Sequence, residues 1–258
     1  MVAQIIIGFI GLVLIAIPFS KAKKRIQIKS IALAIVFQIL LAFLLIEIPV
    51  INDIFFYFSL GVEKLQLATN AGTSFVFGYL SMGVGDELIF AFKILPLIIV
   101  ISSLTALLWY LNILPKIIKA ISFIFEKIFN IGGPVGLGAT ANIIMGQVEA
   151  PLLVRPYLSK MSNKELLILM TAGMSTVSGS IMIALVSMLQ IQFENINLVQ
   201  HLITASILSI PAAIMYANIL IPSDSVTDYT ESKISKISES SMDAITKGTR
   251  EGLEIAVI

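Results

Sequence analysis

The sequence has no cysteine, a single histidine and few charged residues, since Asp, Glu, Lys and Arg make up only 13% of its 258 residues. Without cysteine, the chain cannot form disulfide bonds, use a thiol nucleophile or bind a metal through thiolates. We interpret the lone His201 as an ordinary interface residue rather than a metal ligand or a proton relay. The net charge is +1 and no long run of like charge occurs, so the electrostatics favour neither nucleic acid nor acidic partners.

Apolar residues are abundant instead, at 57% of the sequence. Soluble domains are about half apolar and about a quarter charged. A helix needs roughly 20 mostly apolar residues to cross the hydrocarbon core of a bilayer, because its backbone groups must bond internally. Five windows approach or meet this length: residues 2–19, 31–46, 88–114, 166–191 and 198–221. They predict an all-α polytopic membrane protein.

Positive charges follow the first apolar window rather than precede it. Nothing basic stands before Val2, whereas five cations follow Ser20: Lys21, Lys23, Lys24, Arg25 and Lys29. A secretory signal has the opposite order, so we expect the first window to remain as an anchor. The positive-inside rule places the basic loop in the cytoplasm and the N-terminus outside, in the plasma membrane or, in a bacterium, the inner membrane.

Two further stretches have the composition of helices that lie at a membrane surface. Residues 52–70 mix four aromatic side chains with acidic and basic ones. In residues 115–130 the apolar side chains fall on one helical face: Ile117, Ile118, Ile121, Ile124, Phe125 and Ile128. A cytoplasmic loop packed on the protein is the alternative for residues 115–130.

Residues 131–157 are apolar enough to enter a bilayer but would not form one simple spanning helix. The glycines and prolines that interrupt them are Gly132, Gly133, Pro134, Gly136, Gly138, Gly146, Pro151 and Pro156. Broken backbone at membrane depth is tolerated only where it is buried in protein or lines a wet cavity. This stretch therefore predicts a re-entrant helical hairpin, a device with which transporters aim helix ends at substrates and ions.

The polarity of the chain changes twice after residue 221. Residues 222–251 are polar and rich in serine, which predicts an extramembrane connector. Residues 253–258 are largely apolar again, which we interpret as the first turns of another membrane segment rather than a tail. Three regions result: N-terminal transmembrane and interfacial helices in residues 1–70, a transporter core in residues 71–221, and the connector with the start of the next segment in residues 222–258.

Three polar side chains stand within the broken segment, namely Asn142, Gln147 and Glu149. An intramembrane carboxylate is costly and normally faces a cavity or a partner, so Glu149 is the first functional candidate. Its alternative role is an ion pair with Arg155 or Lys160 near the interface. Lys93 is a weaker candidate, because a lysine early in a span usually extends to the headgroups.

Hydroxyl side chains crowd the middle of the window at 166–191: Thr171, Ser175, Thr176, Ser178 and Ser180. Such residues most often let helices approach closely in membranes. Hydroxyl and carbonyl oxygens near a broken helix also suit a hard cation, so a sodium site is the alternative. No phosphate-binding loop, zinc-ligand spacing or nucleophile elbow is present, and we expect no enzyme and no cofactor.

Residues 141–157 are more specific than any of these patterns. Their core, Gly-Gln-Val-Glu-Ala-Pro-Leu from Gly146, resembles the signature Gly-Gln-Thr-Glu-Ala-Pro-Leu of the concentrative nucleoside transporters. Stretches that are similar to the same family stand in the same order before and after it, at residues 75–78, 90–96, 170–180 and 209–213. The resemblance covers roughly residues 61–258.

The resemblance implies a fold, an activity and a set of site residues. Members import nucleosides by symport with sodium or protons, contain two inverted repeats and form trimers. The first hairpin holds the base, so Gln147 and Glu149 would hydrogen-bond it, while Gly146 and Ile181 would shape the pocket. Asn142 and Thr176, with nearby carbonyls, fall where members place a sodium ion.

Two departures from the family pattern stand out. Val148 replaces the usual threonine of the signature, which removes one hydroxyl contact to the base. Residues 240–253 look like the run that leads into the second repeat, so we expect a C-terminally truncated transporter that lacks the second hairpin and its ribose contacts.

These features favour one hypothesis over two others. The leading one is a nucleoside:cation symporter that forms a homotrimer in the lipid membrane and is completed by a longer form of the protein or by a second polypeptide. A non-transporting membrane remnant is the alternative. A membrane enzyme or a scaffold would need a catalytic constellation or a large extramembrane surface, and the sequence has neither.

Overall fold

The computed structural model describes residues 2–81, 90–147, 149–189, 196–223 and 238–257. These residues form helices and contain no strand. Short 3-10 turns occupy Ile17–Phe19, Lys23–Arg25 and Gly78–Ser81. In chain order the α-helices of the described residues are α1 Val2–Ala16, α2 Ile28–Glu47, α3 Pro49–Phe77, α4 Phe90–Lys93, α5 Leu95–Tyr110, α6 Ile113–Phe129, α7 Gly133–Ala141, α8 Glu149–Leu153, α9 Arg155–Leu158, α10 Asn163–Ser175, α11 Gly179–Leu189, α12 Leu198–Leu220 and α13 Ser241–Val257.

Local sequence explains where several helices begin and end. A proline stands in the first turn of α3, α5, α7 and α9, where its missing N–H costs no hydrogen bond. α10 begins with a capping box, in which the Ser162 hydroxyl accepts from the Glu165 N–H and the Glu165 carboxylate accepts from the Ser162 N–H. Asn112 and Asn130 adopt left-handed backbone just after α5 and α6, a conformation that asparagine tolerates.

Helix length and composition support the membrane assignment. Among the described residues, three ranges are long and apolar enough to cross a bilayer: Ile28–Glu47, Asn163–Leu189 and Leu198–Leu220. A fourth exists if α5 and α6, which bend between Tyr110 and Ile113, count as one span. The predicted all-α polytopic membrane protein is therefore confirmed. The window at residues 2–19 corresponds only to a shorter apolar helix.

Contacts divide the chain into two units, of which unit 1 comprises residues 1–44, 118–176 and 205–233. In its core the small side chains of Ala16 and Ala34 pack beside Met215 and Ile219. Phe37 of α2 places its ring edge-on to Phe125 and Phe129 of α6. Small residues and interlocking rings suit helix packing in lipid, because apolar surface alone does not drive helices together there.

Unit 2 comprises residues 45–117, 177–204 and 234–258. α3, α11 and α13 all pack on α5. α5 contributes to two groups of buried side chains, one containing Val62, Leu97, Ile101, Met182 and Ile183, and the other containing Ile94, Ile98 and Ala184.

Three predicted segments differ from their structures. The window at 166–191 is not one continuous helix, because α10 ends at Ser175 and α11 begins at Gly179. Within the window at 88–114, α4 and α5 are separate helices, with Pro96 in the first turn of α5. The polar connector and the apolar end were predicted as separate segments, but Ser241–Val257 is one helix that includes the last residues of the first and the start of the second.

Other predicted segments agree with the structure in their local form. Residues 131–157 contain the short helices α7, α8 and α9, and the helix breaks between Ala141 and Glu149. Of the predicted stretch at residues 115–130, all but Asn130 fall within α6, which buries Ile118 and Phe125 while Ile117 and Ile124 remain exposed. Residues 52–70 fall within the longer α3. The placement of α3 and α6 at the membrane surface stays a prediction.

Candidate substrate and cation site

The first helix of the broken segment is enclosed by protein. Every residue of α7 from Pro134 to Ala141 is buried. A Cβ atom at Gly138 would overlap Cδ1 of Leu169, so α10 packs against α7 where glycine leaves room. The buried position of α7 satisfies the condition for breaking a helix at membrane depth.

A carboxylate lies against the beginning of the same helix. The Ser122 hydroxyl donates a hydrogen bond to the Glu126 carboxylate within α6. A Cβ atom at Gly136 would lie 2.7 Å from Glu126 Cγ and 2.8 Å from Ser122 Oγ. Glycine at this position therefore lets the polar pair approach the first turn of α7, whose N-terminal end favours negative charge.

The break after α7 leaves a buried oxygen without a partner. Asn142 is fully buried, and its Nδ2 donates to the Gly138 carbonyl at 3.1 Å. Its Oδ1 has no hydrogen-bond partner among the described residues. The hydroxyl of Thr140, also fully buried, has none either. Buried oxygens that no donor satisfies are costly and infrequent, and a hard cation is a ligand that such oxygens suit.

α10 lies close to two residues of the helix break, Asn142 and Gln147. A Cβ atom at Gly173 would lie 3.3 Å from Gln147 Cβ and 3.5 Å from Asn142 Oδ1. Gly173 is buried, whereas Gln147 is exposed. One glycine of α10 therefore lies beside both the buried oxygen of Asn142 and the exposed side chain of Gln147.

The same helix ends close to this glycine in the sequence. The Ser175 and Thr176 hydroxyls both donate to the Ala172 carbonyl, at 3.2 and 2.9 Å. Hydroxyls that donate to a carbonyl of the preceding turn compete with the backbone N–H groups of the helix for that acceptor, which explains why α10 ends here. The last carbonyls of a helix carry partial negative charge, and the Thr176 oxygen keeps acceptor capacity while it donates. The end of α10 is consequently electrostatically suited to a cation.

The remaining predicted site residues lie in different parts of the structure or outside its described part. Gly146 is half-buried, and its carbonyl accepts from the Ala150 N–H at 3.1 Å. Val148 and the side chain of Glu149 lie outside the described residues, although Glu149 begins α8. Ile181 belongs to α11 in unit 2, where it packs beside Ile94, Ile98 and Ala184.

The other polar candidates add no further ligands. His201 is exposed in the first turns of α12. The side chain of Lys93 lies outside the described residues. No cluster of three or more His, Asp or Glu side chains that could hold a metal occurs in the described ranges.

Sequence reasoning missed Gly173 and Thr140 as parts of this site. A glycine inside a helix costs about 1 kcal/mol relative to alanine, so Gly173 carried a signal that something packs closely there. Thr140 carried no such signal, because only its surroundings show that its hydroxyl is unsatisfied.

Three family models match successive parts of the chain. Residues 7–80 match the model described as Na+ dependent nucleoside transporter N-terminus. Residues 91–192 match a model described as nucleoside recognition, and residues 201–258 match the Na+ dependent nucleoside transporter C-terminus. The chain belongs to the concentrative nucleoside transporter family. It is therefore related to membrane transporters and not to an enzyme family.

Individual relatives agree with this assignment. The chain is 31% identical to an uncharacterized transporter, YutK, of Bacillus subtilis over 98% of its own length and 61% of that protein. It is also 31% identical to the nucleoside permease NupC of Helicobacter pylori, over 98% of its length and 60% of the permease. Against human solute carrier family 28 member 3 the identity is 33%, over 83% of the chain and 30% of the carrier.

Solved structures of this family confirm the fold. The chain superposes on CNTnw in an inward-facing substrate-bound state with a TM-score of 0.84 and 30% identity, over 99% of the chain and 60% of CNTnw. The TM-score is 0.82 and the identity 29% against a CNTnw variant in an outward-facing state, over 98% of the chain and 59% of that structure. The chain thus has the fold of the first part of an inverted-repeat transporter, and it spans about three fifths of the length of these bacterial relatives and of CNTnw.

Proposed function

We propose that this chain takes part in the import of nucleosides by symport with sodium. The observation that carries the proposal is the buried, unpartnered Oδ1 of Asn142 at a helix break, beside the exposed Gln147. An accessible amide can hydrogen-bond a nucleobase, and a buried oxygen near a helix C-terminus can hold a cation. Their proximity offers a physical basis for coupling the two ligands.

Asn142 and Thr176 are the proposed sodium ligands. Asn142 contributes its side-chain oxygen, and Thr176 contributes a hydroxyl whose proton is already donated to the Ala172 carbonyl. That arrangement leaves oxygen lone pairs, the ligands that a hard cation takes. Asn142 and Thr176 are both neutral, so these two ligands bring no negative charge to the ion. A monovalent cation therefore suits them better than a divalent one.

Gln147 and Glu149 are the proposed hydrogen-bonding partners of the base, and Gly146, Val148 and Ile181 are proposed to shape its pocket. An amide has both donors and acceptors, while an ionised carboxylate only accepts. Together they can match a base edge that presents donors and acceptors side by side. Val148 offers no hydroxyl, so we expect weaker discrimination among bases than a threonine would give.

The whole transporter requires more than the described site. The relatives are longer than the chain, and we propose that residues equivalent to their remaining length contact the ribose, in a longer form of the protein or in a second polypeptide. A homotrimer is the proposed assembly. The functional division follows residues 1–70, 71–221 and 222–258, with the N-terminus outside the plasma membrane or, in a bacterium, the inner membrane.

Uptake of labelled uridine into cells that lack nucleoside transport tests the activity. We expect uptake with external sodium, little uptake when choline replaces it, and loss of uptake in Glu149→Gln. Glu63→Gln is the matched control, because Glu63 is an exposed glutamate of α3. If uptake in choline instead rises as the external pH is lowered, the coupling ion is the proton and not sodium. Absence of uptake by correctly inserted protein would contradict transport by this chain alone and favour a non-transporting role.

Sodium binding is testable without transport. Purified chain is heated in sodium chloride and in choline chloride at equal ionic strength, and the two Tm values are compared. We expect sodium to raise Tm in the wild type and in Asn218→Ala but not in Asn142→Ala, because the proposed ion ligand is missing only from the last. An equal sodium response in all three proteins would rule out Asn142 as a ligand.

A further inference from the structure

The beginning of α7 carries no side-chain cap of its own. Its N-cap residue is Gly132, which has no side chain, and Pro134 in its first turn has no N–H. The Val135 and Gly136 N–H groups donate to the Gly132 carbonyl at 2.9 and 3.0 Å. α7 contains no acidic side chain, so none of its own residues offsets the partial positive charge at this end of the helix.

A carboxylate from α6 lies at this end of α7 instead. A Cβ atom at Gly136 would lie 2.8 Å from Glu126 Oε1, so the carboxylate occupies space that only glycine leaves open. The hydroxyl of the buried Ser122 donates to the same oxygen and holds it in place. Glu126 is half-buried and forms no ion pair with a described residue, and the neighbouring Lys127 ammonium lies 5.7 Å from the centre of the Phe123 ring. In this part of the chain no ion pair neutralises the charge that Glu126 presents to α7.

α7 connects this carboxylate to the proposed sodium ligand. Asn142 is the C-cap residue of α7, and its backbone N–H and its Nδ2 both donate to the Gly138 carbonyl, at 3.3 and 3.1 Å. The orphaned Oδ1 of Asn142 is therefore at the end of the helix that carries partial negative charge. From Gly136 to Asn142 the helix rises about 9 Å, at about 1.5 Å per residue. Glu126 and the proposed ion thus lie near opposite ends of one short helix.

A carboxylate at the positive end of a helix makes the other end more favourable to a cation. Each charge then lies at the helix terminus of opposite sign, which is the stabilising arrangement at both ends. The residues of α7 from Pro134 to Ala141 are buried, so water screens this attraction less than it screens a pair of surface charges. At an effective dielectric constant of about 20, two unit charges about 10–15 Å apart still change a binding constant severalfold.

We propose that Glu126 raises the affinity of the Asn142 site for sodium without contacting the ion, because its negative charge acts through α7. Glu126 is in this sense a positioning residue, held against the helix by Ser122 and by the space at Gly136. This role rests on the proposed sodium site. It adds to that site a residue of α6, which lies outside the stretch of residues 141–157 that carries the family signature.

Two substitutions at Glu126 separate its charge from its shape. Glu126→Gln keeps the shape and removes the charge, whereas Glu126→Asp keeps the charge and shortens the side chain. The Tm of the purified chain is measured across a sodium series, with choline chloride holding the ionic strength constant, and the Kd for sodium is fitted from the rise in Tm. We expect this Kd to increase by about three- to tenfold in Glu126→Gln and to stay within about twofold of wild type in Glu126→Asp. The control is Glu63→Gln, which removes an exposed carboxylate of α3 and should leave the Kd unchanged.

A second variant reaches the same carboxylate from the side of α7. In Gly136→Ala the added methyl group must displace the Glu126 side chain, whose Cγ would lie 2.7 Å from it, so the Kd should also increase. The double variant Gly136→Ala with Glu126→Gln should bind sodium no more weakly than Glu126→Gln alone, because the charge that alanine displaces is already absent. Further weakening in the double variant would mean that Gly136→Ala acts on Asn142 by another route.

The measurements distinguish failure of this role from failure of the sodium site. The Tm in choline chloride alone reports damage to the fold, and the fitted Kd reports the ion. A Kd that increases as much in Glu126→Asp as in Glu126→Gln would show that the shape of the side chain matters and would overturn the role of its charge. A wild-type Kd in Glu126→Gln would rule out Glu126 and leave the sodium proposal intact. If the wild-type chain shows no response to sodium while folding normally, both proposals are wrong.

Discussion

At Gly173 a hydrogen atom occupies the position where any other residue would carry a Cβ atom. That position lies 3.3 Å from Gln147 Cβ and 3.5 Å from Asn142 Oδ1. The proposed ligands of base and cation thus meet at one glycine of α10. A single methyl group there would perturb both of them.

Gly173→Ala should weaken sodium binding without unfolding the protein. The added methyl group covers Asn142 Oδ1 and presses on Gln147, so the sodium concentration for half-maximal stabilisation should rise by about tenfold, as for other groups that position a ligand. Thermal unfolding across a sodium series measures it. Gly72→Ala is the control, because its added Cβ meets no atom within 4 Å. An unchanged sodium series in Gly173→Ala would contradict the placement of the cation.

At the scale of elements, α13 and α5 are held together by small residues. A Cβ atom at Gly248 would lie 2.6 Å from both Ala106 Cβ and the Ser102 carbonyl oxygen. One turn later, a Cβ atom at Gly252 would lie 2.8 Å from Ile99 Cα. These neighbours are backbone or short side chains that cannot move aside. Close helix contact at two glycines four residues apart is a common packing mode in membranes.

Gly248→Ala should therefore separate α13 from α5. Overpacking of this kind costs about 1–3 kcal/mol, and amide hydrogen exchange should speed up along α13. Gly61→Ala serves as the control, because nothing lies within 4 Å of its added Cβ and alanine should stabilise helix α3 by about 0.5–1 kcal/mol. Exchange in α13 that is equal in the two variants would mean that α5 does not hold this helix.

The first turn of α13 should respond to acid. The Asp243 carboxylate accepts from Lys247 Nζ at 2.8 Å and from the Glu239 N–H at 3.0 Å, and both bonds lower its pKa. A lowered folded pKa means that the stabilisation is complete above the unfolded value, about 3.9, and is lost as pH falls through the lower folded pKa. Exchange of amides 241–245, corrected for intrinsic rates, should speed up in that window.

Asp243→Asn should show the faster exchange already at neutral pH and little further change on acidification, because no carboxylate remains to be protonated. Glu254 provides the comparison, since it pairs with Arg250 three turns along the same exposed helix surface, far from the first turn. Glu254→Gln should leave exchange at residues 241–245 unchanged. An acid response that persists in Asp243→Asn would have to come from another group.

At the scale of the whole molecule, the absence of cysteine makes topology directly measurable. A single introduced cysteine is the only thiol in the chain, so its labelling reports one position. Lys24→Cys lies in the basic loop that the positive-inside rule assigns to the cytoplasm. A membrane-impermeant maleimide should label it only after the cells are permeabilised. Labelling in intact cells would reverse the predicted orientation.

Sequence patterns were sufficient wherever a property depends on one segment alone. Composition excluded thiol chemistry and identified the apolar ranges that α2 and α12 now occupy. Glycines and prolines predicted the break between α7 and α8. The signature at Gly146 pointed to the family that the comparisons establish. Each of these follows from local backbone chemistry or from the cost of placing polar groups in lipid.

Tertiary structure alone decided how the segments meet. In lipid one apolar helix face is nearly equivalent to another, so hydropathy does not determine which helices pack together. Small residues and hydrogen bonds determine it instead. That is why the break after Ser175, the packing of α13 on α5 and the orphaned oxygen of Asn142 were not evident from composition. Whether a polar group is satisfied depends on neighbours that the chain brings close only when it folds, as Gly173 does for Asn142.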